Sequence, residues 1–291
     1  MPEKKGRGTW AKPEFLDKFS GLPVICSGRS ITCNFIHEKL EKNGVASTFS
    51  IGIGTGMMYE PFKNKINGGQ LILQGIDILP SMIKEAKTKL VGNVLLSSRD
   101  AREPFNITDE TIDIVEAGLV LHHILKSKEL IDIFKRIKKI LKPGGQFILF
   151  DIDVSVGEYV ENKLKKLELD FGQADIDYET GEFVFKEQRI KILDTQNPEE
   201  ETIVSNLNRV TCDPLLEEMK RYKPEIKAII EDNVQKARQG TEWHRSIINW
   251  IKLLKQGFDN SCSIEIITPE AIKEQFQKVL DNPFVIVVTK K

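Results

Sequence analysis

The sequence has few cysteines and no apolar run long enough to span a membrane. Its four cysteines are Cys26, Cys33, Cys212 and Cys262, and the spacing of the first two, in CSGRSITC, fits no common zinc or redox motif. We interpret them as reduced and mostly structural thiols and expect no metal site; the alternative is a metal bound by Cys26 and Cys33. The charged start, MPEKKGRGTWAKPEF, lacks the apolar segment of a secretory signal. These absences predict a cytoplasmic protein without a membrane partner.

The sequence also lacks an excess of charge of either sign. Lysine and arginine number 42 against 43 aspartates and glutamates, which gives a formal net charge of -1. Such a balance provides no overall attraction to phosphate backbones or anionic lipids, so we expect no nucleic-acid partner. Internal repeats and low-complexity tracts are absent as well. Hydrophobic residues make up 40% of the 291 positions, which is enough to fill the core of a folded globular protein.

Short apolar runs alternate with amphipathic stretches from about Ser47 to Asp153. The runs predicted to be strands are STFSIGI, QLILQGIDI, GNVLLSSRD, TIDIVEAG and GQFILFDID. Helices are predicted over 80–91 and 128–141, and the second is ended by KPGG. This order predicts an α/β fold with helices on both faces of a parallel sheet. A helix over 242–256 and two strands, SIEIITP and NPFVIVVTKK, complete the pattern.

The segment 153–240 is too long for a connecting loop, so it is predicted to form a structure of its own. Its pattern predicts helices at 158–169, 214–222 and 224–238, and a hairpin whose turn is at 179–181. Residues 168–201 contain 11 acidic and 3 basic side chains. This acidic stretch is either a solvated face or a cap that favours a cationic or neutral substrate.

Three parts of the chain follow from these patterns. They are an N-terminal helical segment or lid at 1–34, a core formed by 35–152 together with 241–291, and a substrate-binding cap inserted at 153–240.

Three glycines in the stretch FSIGIGTG follow the first predicted strand directly. A strand that ends in G-x-G-x-G and leads into a helix forms a tight turn, and the missing side chains let a ligand lie against the backbone. Gly52 permits the turn, Gly54 permits close approach of the ligand, and Gly56 lets the helix start near the strand. The amide groups of such a turn favour an anionic group of the ligand.

Two aspartates end the next two predicted strands. Asp77 lies 23 residues beyond Gly54, where a carboxylate can accept hydrogen bonds from both hydroxyls of a ribose. Asp100 ends the following run and can accept from the exocyclic amine of adenine. Alternatively, Asp77 caps the next helix and Asp100 forms a turn. Together with the glycines, these strand ends predict a nucleoside site, and Met57 disfavours a dinucleotide because G-x-G-x-x-G requires glycine there.

The motifs IGIGTG, GIDILPSMIKEAK, RDAREPF, DIVEAGLVLHHI and LKPGGQFILFDI resemble those of the class I S-adenosylmethionine-dependent methyltransferases over roughly residues 35–153. The resemblance is to a core of the UbiE or methyltransferase-11 type. It implies a Rossmann-like sheet of seven strands with the last one antiparallel, and S-adenosyl-L-methionine as the cofactor. The SIGxGxG form is also similar to that of histamine N-methyltransferase-like enzymes.

For the methionine end of the cofactor, the resemblance implies contacts from Gly52, Gly54, Gly56, Ala117, Gly118 and Leu119. Many members of this family carry an acidic residue two places before the first glycine. This chain has Ser50 at that position, which we include in the predicted site. Glu116 is a candidate substitute for holding the ammonium group of the cofactor.

For the adenosine end, the resemblance implies that Asp77 holds the ribose and that Ile78 and Met82 lie against the adenine. Asp100 and Ala101 are implied to meet the amine edge of that base.

Methyl transfer from a sulfonium is an in-line displacement, so the protein must mainly align the acceptor and exclude water. His122 and His123 follow the fourth predicted strand and are candidate catalytic bases; alternatively, both pack locally. We predict methyl transfer to a small molecule. The alternatives are a protein, peptide or amine N-methyltransferase and a non-catalytic regulatory protein that binds S-adenosylmethionine. The sequence assigns neither the acceptor atom nor the oligomeric state.

Overall fold

The protein is described from a computed structural model. The described residues are Pro13, Leu16, Asp17, 23–124, 126–152, 175–177, 182–185, 188–191, 247–267 and 283–291.

Seven strands form the main sheet. They are β1 (Ala46–Ile51), β2 (Leu71–Asp77), β3 (Val94–Ser98), β4 (Ile112–Gly118), β5 (Leu141–Ile152), β9 (Cys262–Ile267) and β10 (Pro283–Lys290). Their order across the sheet is β3-β2-β1-β4-β5-β10-β9. Strands β1 to β5 are parallel, whereas β10 runs antiparallel to both of its neighbours, β5 and β9. The predicted Rossmann-like class I sheet is therefore confirmed, and the carboxyl ends of β1, β2 and β4 meet at one edge.

Five α-helices and two 3-10 helices are described. The α-helices are α1 (Pro23–Asn43), α2 (Lys63–Asn67), α3 (Pro80–Lys89), α4 (Ser127–Ile140) and α5 (Ile247–Gly257), and the 3-10 helices are Met57–Phe62 and Leu121–His123. Helices α3 and α4 confirm the helices predicted over 80–91 and 128–141. Helix α5 confirms the described part of the helix predicted over 242–256.

The KPGG stretch lies inside a strand. Helix α4 ends at Ile140 as expected, but β5 already begins at Leu141, before the predicted strand GQFILFDID. The pairing of β4 with β5 shifts register between Ile112 and Ile114, and Gly144 has a φ of 72°. The glycines therefore produce an irregularity at the start of β5, and the sequence pattern did not distinguish this from a separate turn.

The core has two apolar layers, one on each face of the sheet. Helix α1 and the 3-10 helix Met57–Phe62 pack on one face, with Ile36, Tyr59 and Phe62 fully buried. Helices α4 and α5 pack on the other face, where the ring centroids of Phe134 and Trp250 are 6.3 Å apart. The apolar positions of α4 recur at the spacing of one helix face, and the sheet buries that face.

Part of the inserted segment is described. Strands β6 (Asp175–Asp177), β7 (Glu182–Phe185) and β8 (Gln188–Lys191) form a separate antiparallel sheet. Strands β6 and β7 pair across the predicted turn at 179–181, which confirms the hairpin. The helices predicted at 158–169, 214–222 and 224–238 lie outside the described residues. At the other end of the chain, helix α1 runs across the predicted domain boundary at 34/35.

Within the described ranges, none of the helices combines the length and the apolar character needed to cross a bilayer.

Candidate active site

The three glycines after β1 form a turn that only glycine can occupy without strain. Gly52, Gly54 and Gly56 have φ angles of 75°, 56° and 79°, in the left-handed region that L side chains rarely adopt. A Cβ at Gly52 would lie 2.5 Å from Cγ2 of Val120, and one at Gly54 would lie 2.6 Å from Cδ2 of Leu16. We call this segment, Gly52–Gly56, the glycine turn. Its backbone conformation and its close packing both require hydrogen in place of a side chain.

Asp77 braces the glycine turn from the end of β2. Its Oδ2 accepts a hydrogen bond from the amide of Gly54 at 3.0 Å, and its Oδ1 accepts one from the amide of Leu79 at 2.9 Å. Leu79 directly precedes helix α3, so the carboxylate also supports the start of that helix. The structure therefore brings Gly54 and Asp77 together as the sequence predicted, and it also shows the capping contact that was the alternative. The ribose contact stays a prediction.

Asp100 is held in a turn. Its carboxylate accepts from the backbone amide and the guanidinium Nε of Arg102, both at 2.9 Å. The carbonyl of Ala101 accepts from Arg136 Nη2 at 3.2 Å. The amide of Arg99 donates to the carbonyl of Asp77 at 2.9 Å, which joins the ends of β2 and β3. The turn alternative is thus observed for Asp100, and the contacts of Asp100 and Ala101 with adenine stay predictions.

The two residues predicted to contact adenine differ in exposure. Ile78, directly after Asp77, is 38% exposed, whereas Met82 is only 1% exposed. Ile78 therefore offers an apolar surface beside the aspartate, and Met82 packs inside the protein.

A buried carboxylate lies where β1 and β4 run side by side. Ser50 and Glu116 are partners in the register of these strands, and the Ser50 hydroxyl donates to Oε1 of Glu116. The Tyr59 hydroxyl lies 3.4 Å from the same oxygen. Burial raises the pKa of Glu116 to about 7, although hydrogen bonds from Ser50, Tyr59 and the backbone amide of Gly118 act in the opposite direction. Sequence reasoning singled out both Ser50 and Glu116, but not their contact.

The chain turns sharply after β4. Ala117 is fully buried, Gly118 is partly exposed, and Leu119 has a φ of 52°. The amide of Leu119 donates to the carbonyl of Phe150 at 2.9 Å, which ties this turn to the end of β5. Val120, which packs against Gly52, was missed because nothing in the apolar run GLVLHH distinguishes it from its neighbours.

The two histidines after β4 occupy different environments. His122 is buried, and its Nδ1 lies 3.1 Å from Oδ1 of Asp151, which is fully buried in β5. His123 is exposed, and its ring centroid lies 4.3 Å from that of His122. The structure thus gives His122 a carboxylate partner at the edge of the sheet where β4 and β5 end.

Helix α1 contributes two polar side chains that sequence reasoning did not assign to the site. The Nη1 nitrogen of Arg29 is buried and has no hydrogen-bond partner in the described part of the chain. The thiol of Cys33 donates to the carbonyl of Met58 at 3.6 Å, and burial raises the pKa of this thiol to about 11. A helix that precedes the first strand carries no local signal that it reaches the ligand edge, so these residues could not be found from the motifs.

The N-terminal segment also contacts the glycine turn. Leu16 lies over Gly54, and the Asp17 carboxylate accepts from the hydroxyl of Thr55 and from the ammonium of Lys89. Across the described ranges, no group of three or more histidine, cysteine, aspartate or glutamate side chains is arranged to hold a metal ion.

Residues 49–149 match the family model described as "Methyltransferase domain". No curated protein sequence matches the chain. Among solved structures, the CurJ carbon methyltransferase aligns with a TM-score of 0.52 and 14% identity, over 93% of this chain and 56% of that one. A protein from Pyrococcus horikoshii OT3 aligns with a TM-score of 0.49 and 16% identity, over 94% and 95% of the two chains. A SAM-dependent methyltransferase from Methanosarcina mazei aligns with a TM-score of 0.47 and 16% identity, over 88% of this chain and 96% of that one.

The alignment with the CurJ enzyme supports the fold. The family match covers the glycine turn and the ends of β2 and β4, and it includes β5 as far as Leu149. The segment 49–149 is therefore a methyltransferase domain of class I fold, and the protein is a methyltransferase enzyme whose cofactor is S-adenosyl-L-methionine.

Proposed function

We propose that this enzyme methylates a small molecule and that His122 removes a proton from the acceptor. The observation that carries the proposal is the buried pair of His122 and Asp151, 3.1 Å apart at the carboxyl edge of the sheet. A base is needed only for an acceptor that must lose a proton before or during transfer. The proposal therefore favours an acceptor with a hydroxyl, thiol or protonated amine.

The residues around the glycine turn fit the cofactor. The bare backbone of Gly54, which Leu16 covers here, lies beside the partly exposed carboxylate of Asp77, and Ile78 offers an exposed apolar side chain. These residues would hold the adenosine against the backbone. When bound, S-adenosyl-L-methionine supplies a methyl group on a positively charged sulfur, which the acceptor displaces in line.

Asp151 is a positioning residue in this proposal. Its Oδ1 accepts the hydrogen of Nδ1, which fixes the neutral imidazole of His122 in the tautomer whose Nε2 carries the lone pair. The carboxylate also stabilises the imidazolium that forms once Nε2 has taken the acceptor proton. Because both side chains are buried, water competes little with either interaction.

Charge supports a small molecule over a nucleic acid. The net charge of -1 and the excess of acidic side chains in 168–201 give the chain no overall attraction for phosphates. The proposal keeps the predicted UbiE-like type of core. It also includes a cytoplasmic location, which is supported by Cys33 and Cys262, since neither forms a disulfide within the described residues.

Two measurements test the proposal. The first is calorimetry with S-adenosylhomocysteine and NAD, in which only the former is expected to bind. The second incubates the full chain with S-adenosylmethionine labelled in its methyl group and with three separate substrates, namely a deproteinised metabolite extract, a protein fraction and total RNA. Label in the metabolite fraction alone supports the proposal.

Label in the protein fraction or in RNA would overturn the small-molecule acceptor, and binding without any transfer would favour a regulatory protein. The His122→Ala variant is expected to lose transfer while keeping its affinity for S-adenosylhomocysteine. His37→Ala is the matched control, since His37 is exposed and contacts the ring of Phe62 on helix α1's side of the sheet.

A further inference from the structure

Glu116 is a buried carboxylate without a cationic partner in the described part of the chain. Its polar neighbours there are the hydroxyls of Ser50 and Tyr59 and the amide of Gly118. A buried carboxylate that lacks a counter-ion is costly, so such a group is expected to meet a cation in the functional complex. Ser50, which donates to it, is two residues before Gly52, so the carboxylate lies directly beside the glycine turn.

Arg29 lies at the same edge of the sheet. Helix α1 ends at Asn43 and leads into the amino end of β1, so its first turns extend toward the carboxyl edge. A Cβ at Gly28 would lie 2.4 Å from the ring of Phe150, and Phe150 is the register partner of Gly118. Arg29 is therefore level with the end of β4, where its buried Nη1 lacks a hydrogen bond.

The thiol of Cys33 interacts electrostatically with both Arg29 and Glu116. Cys33 lies one helical turn after Arg29, about 6 Å along the axis, and its thiol bonds to Met58 just beyond the glycine turn. Burial raises the pKa of the Cys33 thiol most; the charge of Arg29 lowers that pKa, and the charge of Glu116 raises it. The charges of Arg29 and Glu116 therefore both act on one thiol.

We propose that Arg29 and Glu116 bind the two charges at the aminoacyl end of the cofactor, the guanidinium taking the carboxylate and Glu116 taking the ammonium group. A guanidinium matches a carboxylate with paired N–H donors. Ser50 is a positioning residue that holds the Glu116 carboxylate at the end of β1. The inference rests on the assigned cofactor and is independent of the acceptor and of His122.

Three ligands separate the two contacts in calorimetry on the full chain. S-adenosylhomocysteine carries both charges, its decarboxylated analogue keeps only the ammonium, and 5′-methylthioadenosine lacks the whole aminoacyl group. Glu116→Gln is expected to weaken S-adenosylhomocysteine about 10- to 100-fold and to leave 5′-methylthioadenosine within about twofold. Arg29→Met is expected to cause a similar loss with S-adenosylhomocysteine and almost none with the decarboxylated analogue.

The conservative variants Glu116→Asp and Arg29→Lys keep the charges and are expected to recover part of the affinity. Asp113→Asn is the matched control, because Asp113 is a buried carboxylate at the opposite edge of the sheet, bonded to Ser47 and Lys142. Ser50→Ala tests the same contact if Glu116→Gln does not fold. Equal losses for all three ligands, or unchanged binding of S-adenosylhomocysteine, would overturn the inference.

The outcome also distinguishes this inference from the proposed function. Ligand discrimination that depends on Arg29 and Glu116, together with no transfer to metabolites, would refute the acceptor and leave the inference standing. Transfer to metabolites, together with wild-type discrimination among the three ligands in the Arg29 and Glu116 variants, would refute the inference and leave the proposed acceptor standing.

Discussion

The Nδ1 atom of His122 lies 3.1 Å from Oδ1 of Asp151, although 29 positions separate these residues in the chain. Their contact joins the segment after β4 to the end of β5, and both side chains are buried. The carboxylate fixes the orientation of the imidazole and selects its tautomer, which is how a histidine is prepared to act as a base.

Asp151→Asn should lower the rate of transfer about 100-fold or more, because the amide no longer fixes the imidazole tautomer. The measurement is kcat for incorporation of labelled methyl into the metabolite fraction across pH 5–9, together with the affinity for S-adenosylhomocysteine. The affinity should be unchanged and the pH profile altered. Asp109→Asn is the control, since Asp109 is exposed and pairs only at the surface with Lys139. An unaltered pH profile in Asp151→Asn would remove His122 as the base.

Asp77→Ala should weaken S-adenosylhomocysteine and 5′-methylthioadenosine alike, by about 10- to 100-fold. The reason is that the carboxylate is predicted to hold the ribose, which both ligands contain, and that it supports the amide of Gly54. His123→Ala should leave both affinities unchanged, because His123 is exposed beyond the strand end. Calorimetry checks the two variants, and wild-type affinity in Asp77→Ala would exclude the ribose contact.

Gly52→Ala should destabilise the protein more than Gly44→Ala does. Both glycines have a positive φ, 75° and 74°, so both variants incur about 1–2 kcal/mol of backbone strain. A Cβ at Gly44 meets no atom within 4 Å, whereas one at Gly52 would overlap Val120. The overlap adds about 1–3 kcal/mol at Gly52. Urea unfolding of both variants measures the difference. Equal unfolding midpoints would show that the Val120 side chain moves aside without a cost in free energy.

The affinity for S-adenosylhomocysteine should rise with pH until about pH 7 and then level off. Burial raises the pKa of Glu116 to about 7, above its ordinary value of 4.5, and an ammonium ligand favours the ionised carboxylate. The groups that contact it are the hydroxyls of Ser50 and Tyr59 and the amide of Gly118. From helix α1, the thiol of Cys33 interacts with its charge, and the charge of Arg29 acts on the same thiol. Burial raises the pKa values of Tyr59 and Cys33, so both stay neutral in this range.

Calorimetry in buffers of different ionisation enthalpy should therefore detect proton release when S-adenosylhomocysteine binds near pH 6. The release should disappear in Glu116→Gln and with 5′-methylthioadenosine. Proton release that persists in Glu116→Gln would assign the titration to another group.

Two buried carboxylates should give opposite dependences of stability on pH. Because the pKa of Glu116 is raised, the folded protein retains a proton that the unfolded chain loses, and this stabilisation decreases between about pH 4.5 and 7. Burial also acts to raise the pKa of Asp113, but hydrogen bonds from Lys142 and Ser47 outweigh it and leave that pKa lowered. Its stabilisation is present above the ordinary pKa and is lost as the pH falls.

Denaturant unfolding from pH 3 to 8 checks both signs. Glu116→Gln should remove the decrease of stability between about pH 4.5 and 7, and Asp113→Asn should lessen the loss of stability in acid. The same sign of change in both variants would contradict the assignment.

The parts of the fold and site that the sequence predicted are those governed by local rules. Strand and helix periodicity located the sheet and helices α3 and α4, and the glycine turn was visible because a positive φ restricts the choice of residue. Asp77 was found because its distance from Gly54 along the chain is set by two short consecutive helices and strand β2.

The remaining features depend on contacts between distant segments. His122 and His123 are adjacent and chemically identical, and only the position of Asp151 in the fold distinguishes them. Arg29 became a candidate because Gly28 packs against Phe150, a contact that no local pattern encodes. Asp100 illustrates the same limit, since a turn-forming aspartate and a ligand-binding one share the same place in the sequence.

The contacts of the N-terminal segment bear on how quickly the enzyme exchanges spent cofactor for fresh. Leu16 covers Gly54, and Asp17 joins Thr55 to Lys89. Any nucleoside that lies against Gly54 must displace Leu16 when it enters or leaves. Because the Asp17–Lys89 ion pair is partly open to solvent, added salt weakens it. If product release limits turnover, the rate should therefore increase with ionic strength. The catalytic rate would then depend on the Asp17–Lys89 ion pair, which is distant in the chain from His122.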